Sequence, residues 1–514
     1  MKHLLTGIIA ILLCVTKVVA QQSLSDDIVF KIKREAFQNS QIEALSFYLT
    51  DYAGPRLAAS RLGERGEQLL KEKLDELGFS NARIEKAVDF PRGGWDNLKT
   101  YAAMTAPYYC NFTALPKAWS GSTGGLVKGE VVLLNVSAPD DIDNYKGKLG
   151  GKIVLMPATS QYEMQFTPFA TRFTDENLNQ LAIDPRPQTP RAFRMPAGGM
   201  SFELQQKIRD LVAEEKPAVL ISGGGSFNVP RSQSVSYAKY GDPEPTAELI
   251  LPIEAHGRMV RLINQKIAVS MEVEIQNMFY DNQVINNVIA EIPGTDPKLK
   301  DEVVLLGGHF DSWHGGTGAA DNASGCIVMI EALRIIKESG IKPRRTIRVA
   351  LWGGEEQGLF GSRGYMQDFL YDVDENKPMK GYDQFTLYLN MDNGSGKFRG
   401  IYLETNDMAF PFFREWNKAL ESLGFGVLSP RTTGGTDHLS FDRIGLPAFQ
   451  FIQDELEYGR GYHTIMDTYE RLVMTDLQYN AAIVACLALS AAMDNAKIPP
   501  KPLPEGFSVP RRPY

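Results

Sequence analysis

The sequence predicts an α/β protein whose main domain is a mainly parallel β-sheet covered by helices on both faces. Two observations predict this class. From about residue 280 onward, near-continuous apolar strands alternate with helical patterns. The stretch before them carries short β-type runs separated by Gly, Pro and Asp. With 514 residues, the chain exceeds the size at which a single hydrophobic core usually stops growing.

The amino-terminal region, residues 24–90, has largely helical patterns. Residues 67–77 place apolar side chains at helical spacing, and Gly78 follows them as a C-terminal cap. A strand is predicted next, at 82–88.

The middle of the chain contains three short β-type runs, at 129–135, 152–156 and 217–222. A polar stretch at about 160–200 separates the last two and is predicted to be a long surface loop or lid. We expect residues 116–272 to form a separate, mostly β module. It would be inserted into a main domain comprising 21–115 and 273–514.

The carboxyl-terminal half contains four predicted strands, at 303–306, 346–352, 385–391 and 447–452. Between the first two strands, apolar residues recur every three positions from Ile327 to Ile336. This spacing predicts a helix over 323–339, with Gly340 ending it.

The first twenty residues are typical of a secretory signal peptide, with a positive start, an apolar run and small residues before Gln21. We expect cleavage after residue 20 and an exported protein, either periplasmic or secreted. Lipidation at Cys14 and a buried amino-terminal helix are the alternatives. No later run reaches the roughly 18 to 20 consecutive apolar residues that a membrane span needs.

Net charge and cysteine content argue against two classes of protein, nucleic-acid-binding proteins and disulfide-rich ones. The net charge of -8 argues against a nucleic-acid partner, which would call for clustered Lys and Arg. Signal cleavage would leave Cys110, Cys326 and Cys486, which do not resemble a disulfide framework. The last two lie in apolar helix-like runs and are expected to be buried thiols.

Residue types that bind metals follow the predicted strands. Ligands of open α/β sheets bind beyond the carboxyl ends of the strands, and in this chain those positions, together with one glycine-rich loop, hold His309, Asp321, Glu355, Glu356, Asp392 and His463. Crowded carboxylates are unfavourable unless cations neutralise them. Two histidines and several carboxylates suit two zinc ions bridged by one carboxylate.

The motifs around these residues resemble the co-catalytic zinc peptidases related to bacterial leucyl aminopeptidase. They are GGHFDSW (307–313), ADNASG (320–325), GEEQGLFGS (354–362), NMD (390–392) and YHTIMDT (462–468). The first motif and the short loop to Asp321 look closest to the carboxypeptidase Q branch, whose known members cleave dipeptides. The middle module resembles, more loosely, the protease-associated domain often inserted in this family.

The resemblance implies a role for each matching residue. His309 and Asp392 would hold one zinc, Glu356 and His463 the other, and Asp321 would bridge them. Glu355 would be the general base toward a water held between the metals, and Asp311 would orient a ligand imidazole. Tyr462 is a candidate donor to the reacting carbonyl, and Trp313 and His438 are candidate substrate contacts. Ala320 departs from the family pattern, since many aminopeptidases have an additional Asp there.

The predicted function is therefore an exported di-zinc exopeptidase that hydrolyses dipeptides or short peptides next to a free amino terminus. A one-zinc transferase resembling glutaminyl cyclase and a non-enzymatic binding protein on the same fold are the alternatives. Side-chain preference, amino- versus carboxypeptidase action and the role of the inserted module stay open. A homodimer stays open as well, by analogy alone.

Overall fold

A computed structural model describes residues 24–157, 162–185 and 201–509. The predicted signal peptide, 1–20, lies outside the described residues, as do residues 160, 161 and 186–200 of the polar stretch.

The described residues form eighteen strands. They are β1 (Ser80–Asp89), β2 (Gly94–Ala106), β3 (Cys110–Asn111), β4 (Leu115–Pro116), β5 (Val127–Leu133), β6 (Ile153–Leu155), β7 (Val219–Gly223), β8 (Glu248–Leu251), β9 (Ser270–Tyr280), β10 (Val284–Ile292), β11 (Val303–His309), β12 (Thr346–Trp352), β13 (Tyr371–Asp372), β14 (Lys377–Pro378), β15 (Phe385–Asn390), β16 (Phe398–Tyr402), β17 (Val427–Ser429) and β18 (Ala448–Gln453).

The same residues form thirteen α-helices. They are α1 (Asp26–Gln38), α2 (Ile42–Phe47), α3 (Arg61–Glu76), α4 (Asp175–Ile183), α5 (Phe202–Glu215), α6 (Ile253–Asn264), α7 (Ser324–Glu338), α8 (Phe360–Phe369), α9 (Lys380–Gln384), α10 (Phe410–Trp416), α11 (His438–Asp442), α12 (Tyr458–Gly461) and α13 (Met474–Met493).

The main sheet has the order β1-β10-β12-β11-β15-β18-β16-β17. Its centre, from β12 through β11 and β15 to β18, is parallel. Antiparallel pairs flank this centre, where β10 meets β1 and β12 and where β16 meets β18. The predicted α/β class is therefore confirmed, with the parallel strands at the middle of the sheet.

Alternation along the strands explains why helices cover both faces. In β11, Val304 and Leu306 belong to the core cluster that contains α7 and α13, whereas Leu305 belongs to a second cluster with residues of α8 and α11. Both sets are fully buried. A strand buried on both faces has a continuous apolar sequence, which is the pattern from which it was predicted.

Helix α13 lies inside the main core. It is the one described helix that is long and apolar enough to cross a membrane by length and composition. Its side chains from Ala481 to Ala492 are buried, and it packs against α7 and α1. Its apolar surface is therefore covered by protein. Cys486 in α13 and Cys326 in α7 are buried free thiols, as predicted.

A second sheet has the order β3-β2-β9-β5-β6-β7-β8-β4. Strands β5 to β8 pair in parallel, and α5 and α6 accompany them in the sequence. The sheet includes β2 and β9, so it extends past the predicted module boundaries at 116 and 272 on both sides. The division into domains at those residues stays a prediction.

We call the second sheet, together with the segments that connect its strands, the second module. One of these segments, the crossing segment (residues 162–185, between β6 and β7), packs on the region built around the main sheet. Thr171 pairs with Leu456 through two backbone hydrogen bonds of 3.0 and 2.8 Å. Arg172 donates hydrogen bonds to Asp454 and Asp476 at 2.9 and 2.7 Å. Helix α4 buries apolar side chains against Tyr402 and Ile452. The crossing segment therefore contacts the main domain just before the loop that carries His463.

Candidate metal centre

The parallel strands bring the predicted metal-binding residues to one edge of the main sheet. His309 is the last residue of β11, and Glu355 and Glu356 follow the neighbouring strand β12. Asp392 follows β15, which pairs with the other side of β11. Asp321 lies in the turn that leads into α7, and His463 follows α12. The residues thus converge although up to about 150 positions separate them in sequence.

These side chains form two groups that share Asp321. The first is His309, Asp321 and Asp392, and the second is Asp321, Glu356 and His463; within each group the candidate ligand atoms lie within 4.8 Å of one another. His309 Nε2 is 3.4 Å from a carboxylate oxygen of both Asp321 and Asp392. His463 Nε2 is 3.2 Å from the second oxygen of Asp321 and 2.9 Å from Glu356.

Buried polar atoms without partners indicate what the two groups can hold. His309 Nε2, His463 Nε2, Asp321 Oδ2 and Glu356 Oε1 are buried and make no hydrogen bond. Such atoms are costly to bury unless they bind something. Imidazole nitrogen and carboxylate oxygen are both zinc ligands, and two donor groups joined by one carboxylate fit a pair of cations. The residues present therefore fit a two-metal centre.

The electrostatics of the site give the same indication. Burial raises the pKa of Glu356 to about 7, and the neighbouring Asp321 adds to the shift. Burial lowers the pKa of His463, but Glu356 and Asp321 outweigh it and raise this pKa to about 10. The carboxylates thus favour positive charge at this position. Divalent cations can supply that charge in place of protons.

Glu355 differs from its neighbour Glu356. It belongs to neither ligand group, and its carboxylate lies 4.0 Å from His309 Nε2. Burial raises its pKa well above the ordinary value, and the carboxylates of Asp392, Asp437 and Glu356 add to the shift against the opposing charge of His309. A buried carboxylate with a raised pKa beside a metal centre is suited to accepting and returning a proton.

Residues 287–488, which include all of these side chains, match a family described as Peptidase family M28. We call residues 287–488 the M28 domain, after the family that they match. The protein is a peptide hydrolase, as the sequence predicts. The M28 domain contains the parallel centre of the main sheet and both ligand groups.

Known proteins resemble the chain well beyond that domain. Carboxypeptidase Q of Mus musculus is 25% identical over 469 residues, which cover 90% of this chain and 88% of that protein. A solved structure of a peptidase M28 precursor from Shewanella amazonensis has a TM-score of 0.66 at 22% identity, covering 93% of this chain and 98% of its own. BSAP, a zinc aminopeptidase from Bacillus subtilis, has a TM-score of 0.55 at 20% identity, covering 90% and 97%. The two structures support the fold.

Asp311 contacts the His309 imidazole and also the backbone of Glu355 and Glu356. His309 Nδ1 is 3.0 Å from the carbonyl oxygen of Asp311 and 3.5 Å from its carboxylate. The two carboxylate oxygens accept hydrogen bonds from the backbone N–H groups of Glu355 and Glu356, at 3.1 and 3.3 Å. Asp311 therefore positions both glutamates, a contact that its place two residues after His309 did not predict.

The aromatic residues predicted near the substrate contact candidate ligands. Trp313 Nε1 donates a hydrogen bond of 2.7 Å to Glu356 Oε2. The Tyr462 ring stacks on the His463 imidazole, with 3.6 Å between the ring centres. Burial and the surrounding carboxylates raise the pKa of Tyr462 above its ordinary value, so its hydroxyl stays protonated and can donate.

The remaining histidines lie elsewhere. His438 is fully buried, and its Nε2 is 3.5 Å from a carboxylate oxygen of Glu404. His314 Nε2 is 2.9 Å from the Pro116 carbonyl oxygen, and its ring packs edge-on against Trp95. His438 thus has a buried carboxylate as its charged neighbour, while His314 joins the M28 domain to the second module.

Two further residues position the centre and were not predicted. Asp467 accepts hydrogen bonds from the backbone N–H groups of Ala320 and Asp321, at 2.7 and 3.0 Å. Arg56 is buried and donates to five backbone carbonyls, those of Leu49, Gly54, Phe310, Thr317 and Gly318. Asp467 lies four residues after His463 in the same motif, and this position could have indicated a role at the site. Arg56 is about 250 residues away from the loop that it holds.

Proposed function

We propose that the protein is a zinc-dependent exopeptidase that removes the amino-terminal residue from dipeptides or short peptides. The observation that carries the proposal is the position of Asp321 in two ligand groups, each of which also contains one histidine and one further carboxylate. The names of the relatives, carboxypeptidase Q and zinc aminopeptidase, support the substrate class and the metal.

Five residues would hold two zinc ions: His309 and Asp392 one, Glu356 and His463 the other, with Asp321 between them. When bound, the two ions would supply Lewis acidity and an acidic water. Glu355, outside both ligand groups, would accept a proton from that water and pass it to the leaving amine. Asp311 and Asp467 would keep the glutamates and Asp321 in place through their backbones.

Tyr462 would donate a hydrogen bond to the carbonyl oxygen as negative charge develops on it. Removing one such donor typically lowers kcat by about 10²- to 10³-fold. Tyr462→Phe keeps the ring that stacks on His463 and deletes only the hydroxyl, so a loss of kcat with unchanged zinc content supports this role. Unchanged turnover would leave Tyr462 as a packing residue and rule it out as a donor.

The protein would act outside the cytoplasm, as the predicted signal peptide at 1–20 suggests. Amino-terminal sequencing of the exported protein should find Gln21 as its first residue. An intact Met1, or a lipid on Cys14, would contradict soluble export.

The deciding experiment is product analysis on dipeptides, their N-acetylated forms and their C-terminal amides, with zinc measured on the same sample. We expect about two zinc ions per chain, cleavage of free dipeptides and resistance of the acetylated ones. Cyclisation of an amino-terminal glutamine with one zinc per chain would favour the transferase. A metal-free protein that binds peptides without cleaving them would favour a binding protein.

A further inference from the structure

Arg231 of the second module lies directly beside the loop that carries His463. Its backbone pairs with Thr464 in an isolated antiparallel bridge. The next residue, Ser232, donates its backbone N–H to the carbonyl oxygen of His463 at 2.6 Å. The second module thus places Arg231 against the loop that carries a candidate zinc ligand.

The guanidinium group of Arg231 is only partly used by the protein. Its central carbon lies 5.5 Å from the centre of the Tyr462 ring, and that ring stacks on His463. Its Nη2 donates one long hydrogen bond, 3.3 Å, to the carbonyl oxygen of Gly459 at an exposed position. Its Nε is buried and makes no hydrogen bond.

No carboxylate of the described residues forms an ion pair with Arg231. Three arginines that contact or belong to the crossing segment are different in this respect. Arg172 and Arg399 pair with Asp454, and Arg431 pairs with Asp184. A partly buried cation with unused donors is unfavourable unless an anion joins it, and a planar guanidinium matches a carboxylate in particular.

We propose that Arg231 binds the C-terminal carboxylate of a dipeptide substrate, so that the second module sets the length of peptide that the enzyme accepts. The inference rests on the proposed function, since it requires a peptide substrate bound at the candidate metal centre. One aromatic ring separates Arg231 from His463, and an extended residue spans about 3.3 to 3.6 Å. The carboxylate of the residue directly after the scissile bond is therefore the one within reach.

The test compares one well-cleaved dipeptide with its C-terminal amide, in the wild type and in Arg231→Met. A hydrogen bond between charged groups is worth roughly a 10- to 150-fold change in affinity. We expect the wild type to favour the free acid in kcat/KM by this factor. Arg231→Met should lose the preference by losing activity on the acid, while its activity on the amide stays within about threefold of the wild type.

Two control variants distinguish recognition of the substrate carboxylate from structural support of the His463 loop. Arg231→Lys keeps the charge without the planar fork and should keep part of the preference. Arg92 also stacks on an aromatic ring of this module, that of Trp119 at 4.9 Å, and contacts none of the candidate ligands. Arg92→Met should therefore keep the full preference.

Three outcomes would overturn the inference. An equal loss on acid and amide, together with lost zinc, would mean that Arg231 only supports the His463 loop. A wild type that cleaves acid and amide equally well would exclude carboxylate recognition while leaving the exopeptidase proposal intact. If the wild type cleaves no dipeptide, either as the free acid or as the amide, so that no test substrate can be found, both proposals are overturned.

Discussion

At the scale of single residues, Glu355 and Glu356 are adjacent in sequence but differ in their contacts. Glu356 lies 2.9 Å from His463 Nε2 and accepts a hydrogen bond from Trp313, whereas Glu355 belongs to neither ligand group. We therefore expect Glu355→Gln to keep its zinc and lose about 10²- to 10⁴-fold in kcat, because it deletes only the base. Zinc analysis and steady-state kinetics on the same preparation measure both effects. The matched variant Glu356→Gln should lose zinc; the reverse pattern would exchange the two roles.

Asp321 gives a second prediction, because it is the one residue common to both ligand groups. Asp321→Asn should weaken zinc binding at both sites together, because it removes the negative charge that would neutralise both cations. His309→Ala removes a member of the first group only and should leave one zinc bound. Stoichiometry by competition with a chelator distinguishes the two variants. Two zinc ions of unchanged affinity in Asp321→Asn would show that it does not bridge them.

The residues that converge at the sheet edge could be predicted because each one directly follows a recognisable strand or stands in a recognisable motif. Asp467 and Arg56 could not, since they act through backbone N–H and carbonyl groups, which every residue possesses. The carboxylate contacts of Asp311 escaped prediction for the same reason. Sequence patterns thus predicted the candidate ligands that the fold brings together, and missed the residues that hold the backbone around them.

At the scale of secondary-structure elements, the central strands were predictable and the direction of the outer ones was not. Strands β12 and β15 were expected within a residue of their observed ends. Strand β10 reaches its antiparallel partner β1 after an intervening 190 or so residues. Burial on two faces fixes a continuous apolar pattern, but the pattern is the same for either strand direction, so it does not reveal the antiparallel flanks.

Helix α3 gives a prediction about pH and stability. Its Glu67 is buried against β10 and accepts a hydrogen bond from Asn286, and burial raises its pKa from 4.5 to about 7. The unfolded chain ionises this group at lower pH than the folded one. Stability is therefore lost as pH rises from about 4.5 through 7, by an amount on the order of 3 kcal/mol.

Glu67→Gln keeps the shape and the acceptor but cannot ionise. We expect this variant to be more stable than the wild type at pH 8 and to match it near pH 4.5, as measured by urea unfolding at both values. The exposed Glu72 on the same helix is the control, and Glu72→Gln should change neither. A Glu67→Gln variant that gains nothing at pH 8 would show that Glu67 ionises without cost in the folded protein.

At the scale of the whole molecule, the second module contacts the His463 loop at two separate points. At the first point, Arg231 and Ser232 pair with Thr464 and His463. At the second, Thr171 of the crossing segment pairs with Leu456. The sequence indicated only a polar loop or lid in that region, because pairing between distant segments has no local pattern. The module thus supports the metal centre physically, in addition to any part it has in substrate choice.

The crossing segment depends on Arg172, which joins it to two carboxylates of the M28 domain. Asp454 is 1% exposed and Asp476 10%, whereas Arg172 is 46% exposed, so the pairs are partly screened by solvent. Arg172→Met should therefore destabilise this contact by about 1 to 2 kcal/mol rather than the 3 to 5 kcal/mol typical of fully buried pairs. Asp454 would keep Arg399 as a partner, and the M28 core would stay folded.

Hydrogen exchange followed by mass spectrometry measures the effect by region. Faster exchange should be confined to residues 162–185 and to the loop around Leu456, while α7 and α13 keep wild-type protection. Lys146 forms an exposed pair with Asp143 in the same module, so Lys146→Met should alter neither region. If Arg172→Met also lowers zinc affinity, the contacts of Arg172 also stabilise the loop that carries His463. If exchange rises throughout the protein, the two modules unfold as one cooperative unit, and the crossing segment is part of the global core instead of a local attachment.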